Sequence, residues 1–376
     1  MNHLPVLPVL IPLLAGALIL LFERRGIVPQ RILAWASIIA LLVVAGLLVR
    51  HAAQGELTVY LLGDWPAKLG IALMVDRVAA LMVMTTTLLA VASLLYACAS
   101  WDRRALHFHA LFQLQLAGLN GAFLTGDLFN LFVFFEVLLI ASYGLMLSGG
   151  RALRMRAGLH YVVFNIMAST LFLIALGLLY GLTGTLNMAE MAARVGAADP
   201  GDQAMIRAAS AILLVVFCSK AALLPLYLWL PETYSRAPAA VVALFTVMTK
   251  LGVYAVLRVY TLVFAAGAGE SGSWAWPWLL GAGVVTLILA SLGVLAGRTL
   301  RGTVAYLVIA SAATLFIAIS LHTGASIGSA LYYLVHSTFV TAALFLIVDL
   351  IRRQRGSLGD RLEASAPLAS RTLLGL

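Results

Sequence analysis

Eleven long apolar runs, separated by short charged or glycine-rich breaks, dominate this 376-residue chain. A run of about 20 such residues crosses a bilayer as one helix, because a helix satisfies its own backbone polar groups where no water can. The runs fall near 4–22, 32–49, 74–98, 107–124, 127–147, 158–181, 204–229, 236–262, 277–297, 303–321 and 326–350. A twelfth begins only at Arg371, so Ser370 to Leu376 reads as the opening of a further span and an incomplete chain is expected. Composition agrees, with 63% hydrophobic and 10% charged residues. A soluble domain carries about 25% charged residues, so this chain could not cover a water-facing surface. The expected fold class is an all-α integral membrane protein, a polytopic bundle of about 11–12 transmembrane helices. Disordered, collagen-like and disulfide-stapled classes are excluded by the apolar excess and by a count of two cysteines.

A net charge of +9 does not point to nucleic acid, because the basic residues lie in the connections between runs. Connections after odd-numbered runs hold sixteen of them: Arg24, Arg25, Arg31, Arg103, Arg104, Arg151, Arg154, Arg156, Arg236, Arg298, Arg301, Arg352, Arg353, Arg355, Arg361 and Arg371. Those after even-numbered runs hold four: Arg50, Lys68, Arg194 and Arg207. Positive charge stays inside, which places the odd connections in the cytoplasm and the N-terminus outside the cell (inner) membrane. The first run is preceded by His3 and followed by Glu23-Arg24-Arg25, the reverse of a secretory leader, so an uncleaved helix is expected. The longer connection Gly181 to Gln203 reads as an extracytoplasmic excursion.

Ionisable groups deep in a span are costly and need partners or a water path, which makes them functional candidates. Glu136 lies mid-run among Phe134, Phe135, Val137 and Leu138; a counter-charge must come from another helix, unless the carboxyl is protonated onto a backbone carbonyl. Lys220 precedes Pro225, which removes a backbone donor and disturbs the turn before it, so a broken helix beside a buried lysine is expected. Its other reading is a lysine snorkelling to an interface. Lys250 is a second lysine well inside a run, and a desolvated lysine can take up and release a proton. His336 titrates near neutral pH without tuning, although a lone histidine can equally be hydrogen-bonded core. Asp349, Arg258 and His160 lie near run ends and read as interfacial, and Asp127 as a carboxylate at a helix N-terminus. Cys98 and Cys218 are 120 residues apart without a CxxC or His-rich neighbour, so small buried side chains are expected, with no metal and no cofactor. No nucleophile triad or phosphate loop competes. One carboxylate, two lysines and a histidine on four runs therefore describe a lateral chain of protonatable sites, as in a proton-coupled transporter or a proton-conducting subunit.

Two segments carry a family resemblance: Gly126–Glu136 (GDLFNLFVFFE) and Pro225–Pro238 (PLYLWLPETYSRAP). The chain resembles the proton-conducting antiporter-like proteins, which include subunits L, M and N of NADH-quinone oxidoreductase and the large subunits of Mrp-type multisubunit cation/proton antiporters. Both motifs and the basic tail of the eleventh run look closest to the Mrp branch of that family. The resemblance implies fourteen helices with two inverted five-helix repeats, each holding a broken helix. On that pattern residues 1–106 form three N-terminal helices, 107–262 the first repeat, and 277–376 a second repeat truncated at its broken helix. It also implies a relay in which Glu136 stabilises charged Lys220, Lys250 connects, and His336 leads toward the second half-channel. Many relatives carry a lysine where Thr341 stands here, so the central step would lean on water or His336. The second repeat's broken helix, with its ionisable exit residue, would begin only at Arg371, so the chain is expected to hold the inlet half-channel and not the exit.

The function implied is a membrane subunit of a monovalent cation (Na⁺)/proton antiporter, with other membrane subunits, protons, cations and the lipid bilayer as partners. The alternative is a proton-pumping membrane subunit of a complex I-like oxidoreductase or a membrane-bound hydrogenase. In that case redox chemistry would sit in partner chains, because no flavin, iron–sulfur or quinone site is recognisable in this one.

Overall fold

The apolar runs become helices packed side by side in the computed structural model, which describes residues 3–66, 70–150 and 152–363. In chain order these are α1 (Leu7–Phe22), α2 (Ile27–Ala53), α3 (Arg77–Tyr96), α4 (Phe108–Leu124), α5 (Leu128–Leu147), α6 (Ala152–Thr183) and α7 (Met188–Gly196). There follow α8 (Pro200–Lys220), α9 (Trp229–Arg236), α10 (Ala239–Leu262), α11 (Ala275–Leu295), α12 (Leu300–Ser320) and α13 (Gly324–Gln354). Among the described residues, ten helices are long and apolar enough to cross a membrane. The shorter α4 is an inner helix, with all of its 17 residues buried except Leu111 and Leu114. The twelfth run expected from Arg371, and the loop residues Lys68 and Arg151, lie outside the described residues.

Helix ends depart from the apolar runs where charged residues find partners. The second helix begins at Ile27 rather than near 32, because Arg31 sits inside its first turns and grips Asp102 with Nε and Nη2 at 2.7 and 2.9 Å. The sixth begins at Ala152 rather than near 158, with Arg154 donating to the carbonyl oxygens of Ser148 and Arg236. A hairpin unforeseen in the sequence, β1 (Thr58–Leu61) against β2 (Ala72–Val75), pairs antiparallel with Thr58 opposite Val75. It takes over the first residues of the third run, and the branched and aromatic side chains of Val59 and Tyr60 suit a pleated surface. Gly126 N–H donates to Ala72 O at 2.9 Å, tying this hairpin to the α4–α5 turn. The excursion after α6 contains α7, capped where Asn187 Oδ1 accepts from the N–H groups of Ala189 and Glu190.

Lipid tails are as apolar as leucine, so helices in a membrane associate by close packing, often at small residues. A Cβ on Gly118 of α4 would stand 2.6 Å from Leu138 N of α5, so only glycine allows that approach. The central helix is α10, with 21 of its 24 residues buried and contacts to α3, α4, α8, α12 and α13. The bundle has two distinct ends. One gathers the arginines of α6, α12 and α13 and of the α3–α4 connection. The other carries the hairpin, the α4–α5 turn and an Arg258–Asp76 pair at 2.5 Å.

Candidate functional site

The seventh run is two helices. It stops as a helix at Lys220, passes through non-helical residues 221–228 containing Pro225, and resumes as α9 at Trp229. Proline contributes no N–H, and Ala222 adopts a left-handed φ of 59°. The backbone groups released by the break must find protein partners at this depth, and they do. Trp229 Nε1 donates to Ser219 O at 3.1 Å, and Leu224 N–H donates to Thr286 Oγ1 of α11 at 3.0 Å. Against this break lies α10: a Cβ on Gly252 would stand 2.6 Å from Ala221 N.

Lys220 is 5% exposed. Its Nζ donates to Asn165 Oδ1 at 3.1 Å and to Ser169 Oγ at 3.5 Å, both on α6. The Ser169 hydroxyl in turn donates to Glu136 Oε1. Glu136 and Lys220 are thus joined through one hydroxyl rather than in direct contact. Lys220 does not snorkel, and the half-buried Glu136 is bonded to a side chain on another helix.

Lys250 is fully buried at the middle of α10, with Nζ 2.6 Å from Ser311 Oγ of α12. Nearby hydroxyls continue a polar thread, since Thr246 Oγ1 donates to Thr338 O of α13 at 3.4 Å. His336 does not join this group. It is exposed on the outer side of α13, its ring 6.4 Å from that of Tyr333, while Ser337, Thr338 and Thr341 of the same helix are buried. The structure therefore brings Glu136 and Lys220 together and links Lys250 to α12, but leaves His336 apart.

Two charged groups near run ends are paired within the protein. Asp349, 4% exposed, accepts from Arg301 at 2.5 Å, Arg353 at 2.9 Å and Tyr96 Oη at 2.8 Å. Arg258, largely buried, holds both oxygens of Asp76 and the Tyr254 hydroxyl. A carboxylate so bonded satisfies guanidiniums that would otherwise be stranded at the helix ends. His160 is exposed, as its place near a run end implied.

The carboxylates outside the spans differ with their partners. Burial raises the Asp127 carboxyl above its ordinary range, even as Oδ1 caps α5 by accepting from Asn130 N–H at 2.8 Å. Burial also pushes against Asp102, but the hydrogen bonds from Arg31 and His109 outweigh it and hold that carboxyl below the usual range. Asp76 is likewise held down by Arg258 against the effect of burial. Cys218 is buried and free, as expected. Cys98 gathers with Asp102 and His109 so that ligand atoms lie within 4.8 Å of one another. The Arg31 guanidinium already occupies the carboxylate there, so the group is an ion pair and a poor cation site.

Asn165, Ser169 and Ser311 were missed in the sequence. The usable signal was Asn165 and Ser169 at i and i+4, one polar face in an otherwise apolar run.

Residues 125–370 match the family described as NADH:quinone oxidoreductase/Mrp antiporter, TM. A protein of Rhizobium meliloti (strain 1021), named as a probable K(+)/H(+) antiporter D chain, is 43% identical over 365 residues, covering 96% of this chain and 68% of its own. The corresponding Na(+)/H(+) antiporter D chain of Bacillus subtilis (strain 168) is 39% identical over 350 residues, covering 92% and 70%. In the Mrp complex from Dietzia sp. DQ12-45-1b, one chain superposes with a TM-score of 0.87 at 31% identity, covering 96% of this chain and 67% of that one. A chain of an archaeal membrane-bound sulfane sulfur reductase shares the fold, with a TM-score of 0.87 at 24% identity, covering 96% and 73%. The chain belongs to the NADH:quinone oxidoreductase/Mrp antiporter transmembrane family, on its Mrp antiporter side.

Proposed function

We propose that this chain moves protons within a multisubunit monovalent cation/proton antiporter, along a relay that includes Glu136, Lys220, Lys250 and His336. The observation that carries the reading is the Glu136–Ser169–Lys220 bridge beside a broken helix. A hydroxyl that donates to a carboxylate and accepts from an ammonium couples the two charges while keeping them separable. A change in their spacing would change the hold on the lysine's proton. Lys250, buried on the central helix and bonded to Ser311, is the next site, and the Thr246 hydroxyl, donating to the Thr338 carbonyl oxygen, leads from α10 toward α13. His336 belongs to this reading as the residue facing outward, toward whatever packs on α13.

Residues 1–106, 107–262 and 277–376 are read as three N-terminal helices, a first repeat holding the broken helix, and part of a second. The arginine-rich end is read as cytoplasmic and the N-terminus as extracytoplasmic, from the asymmetry of basic residues. The names of the relatives, as components of K⁺/H⁺ and Na⁺/H⁺ antiporters, support ion exchange over a redox-driven pump.

The test is cation/proton exchange in membrane vesicles holding the complete complex. Removing one member of a buried charge pair costs about 3–5 kcal/mol unless the other neutralises. Glu136→Ala and Lys220→Ala should each abolish exchange while insertion and assembly persist. Near-normal exchange in either variant would remove the pair from the mechanism.

A further inference from the structure

At the arginine-rich end, a cavity of about 340 Å³ opens between the ends of α3, α6, α10, α12 and α13. Among the described residues Arg104, Arg154, Arg301, Arg352 and Arg353 line it, with Asp349 as the one carboxylate of the lining and Asp360 near Arg301 beyond it, so positive charge is in excess. Asp349 is already engaged by Arg301, Arg352 and Arg353. Two buried donors on the lining have no partner among the described residues: Arg301 Nε, in a residue 6% exposed, and Trp101 Nε1. A buried N–H without an acceptor is costly, and arginine is the side chain best shaped to grip a phosphate with paired bonds.

We propose that this cavity binds a phosphate group, as presented by the headgroup of an anionic lipid or by soluble phosphate. The cavity falls within the size range of small-ligand pockets. It lies at the ends of helices long and apolar enough to cross a membrane, and basic pockets between transmembrane helices near the membrane surface hold acidic headgroups. The site also touches the broken helix. Arg154 Nε donates to Arg236 O and Arg301 Nη1 donates to Ala237 O, at 3.1 and 3.3 Å. A bound phosphate would draw on the same guanidiniums that fix the C-terminal end of α9.

The complete complex should be placed in nanodiscs of phosphatidylcholine, with and without phosphatidylglycerol, and examined by native mass spectrometry and thermal unfolding. The expected result is a phosphatidylglycerol adduct on this chain, weakened about tenfold or more in the double variant Arg104→Gln/Arg352→Gln, which removes two charge-assisted contacts. Arg104 is exposed and Arg352 makes the longest of the three arginine contacts to Asp349, at 3.4 Å, so the Arg301–Asp349 pair at 2.5 Å stays intact and an unchanged Tm in phosphatidylcholine alone confirms folding. If inorganic phosphate raises Tm in phosphatidylcholine discs, and the double variant loses that rise, the source is soluble phosphate. Equal lipid retention in both proteins with no response to phosphate, or no binding of either probe, overturns the site.

Discussion

Gly252 of α10 lies against Ala221, the first residue of the break in the α8–α9 pair, so closely that a Cβ would come within 2.6 Å of the Ala221 nitrogen. Each is within two residues of a buried lysine, Lys250 on one side and Lys220 on the other. The contact fixes the break to the central helix through backbone rather than through adaptable side chains. Gly252→Ala should therefore cost about 1–3 kcal/mol by overpacking, read as a lower Tm of the assembled complex and weaker exchange. Gly177→Ala, where an added Cβ meets nothing within 4 Å, should leave both unchanged.

Ser169 carries the second prediction. Ser169→Ala removes the hydroxyl that joins Glu136 to Lys220 and leaves both helices in place. Hydrogen bonds to charged groups contribute about 1.5–3 kcal/mol, so exchange should fall by at least about tenfold in vesicles with matched protein amounts. Ser169→Thr keeps the hydroxyl and should recover most of the flux. If Ala exchanges as well as wild type, the bridge is not functional.

The third concerns Lys250. Arginine keeps the charge but does not release its proton at any relevant pH. A transfer role predicts that Lys250→Arg and Lys250→Ala both lose proton uptake driven by an imposed cation gradient. If Arg retained most of the flux and Ala did not, Lys250 would be reassigned to an electrostatic role. Ser311→Ala should weaken uptake less than either, since it removes a partner rather than the site.

Asp102 supplies a pH dependence. Its carboxyl is held below the ordinary range in the folded protein, so its contribution is present above the unfolded value of about 3.9. That contribution fades as pH falls through the lower folded value. Asp102→Asn should lower Tm at neutral pH, and the gap from wild type should close progressively below about pH 4. A gap of constant size across that range would assign the effect to packing.

Much of the architecture was legible because hydropathy reports directly on which segments must form helices in lipid. The eleven runs reappear, and Pro225 announced the broken helix. Glu136 and Lys220 stood out because charge is rare at that depth. What sequence order could not convey was which faces meet. His336 and Thr338 are two residues apart on α13, yet one points outward and the other is buried. Ser169 looked like any small residue until its helix was placed between two charges. Asp349 and Arg258 near run ends read only as interfacial because their partners, Arg301 and Asp76, come from distant stretches of chain. The β1–β2 hairpin was hidden for a related reason, since its second strand merges into an apolar run.

The break at Lys220 has an electrostatic consequence. Had α8 continued through Pro225, the lysine would sit mid-helix, where peptide dipoles largely cancel. As the last helical residue it sits instead at the carbonyl-rich pole of a 21-residue helix, which carries roughly half a negative charge and favours a cation within the final turn. The fold thus supplies fractional anionic compensation to a buried ammonium whose carboxylate is one hydroxyl away, reduced in part where Trp229 Nε1 donates to Ser219 O of that same turn.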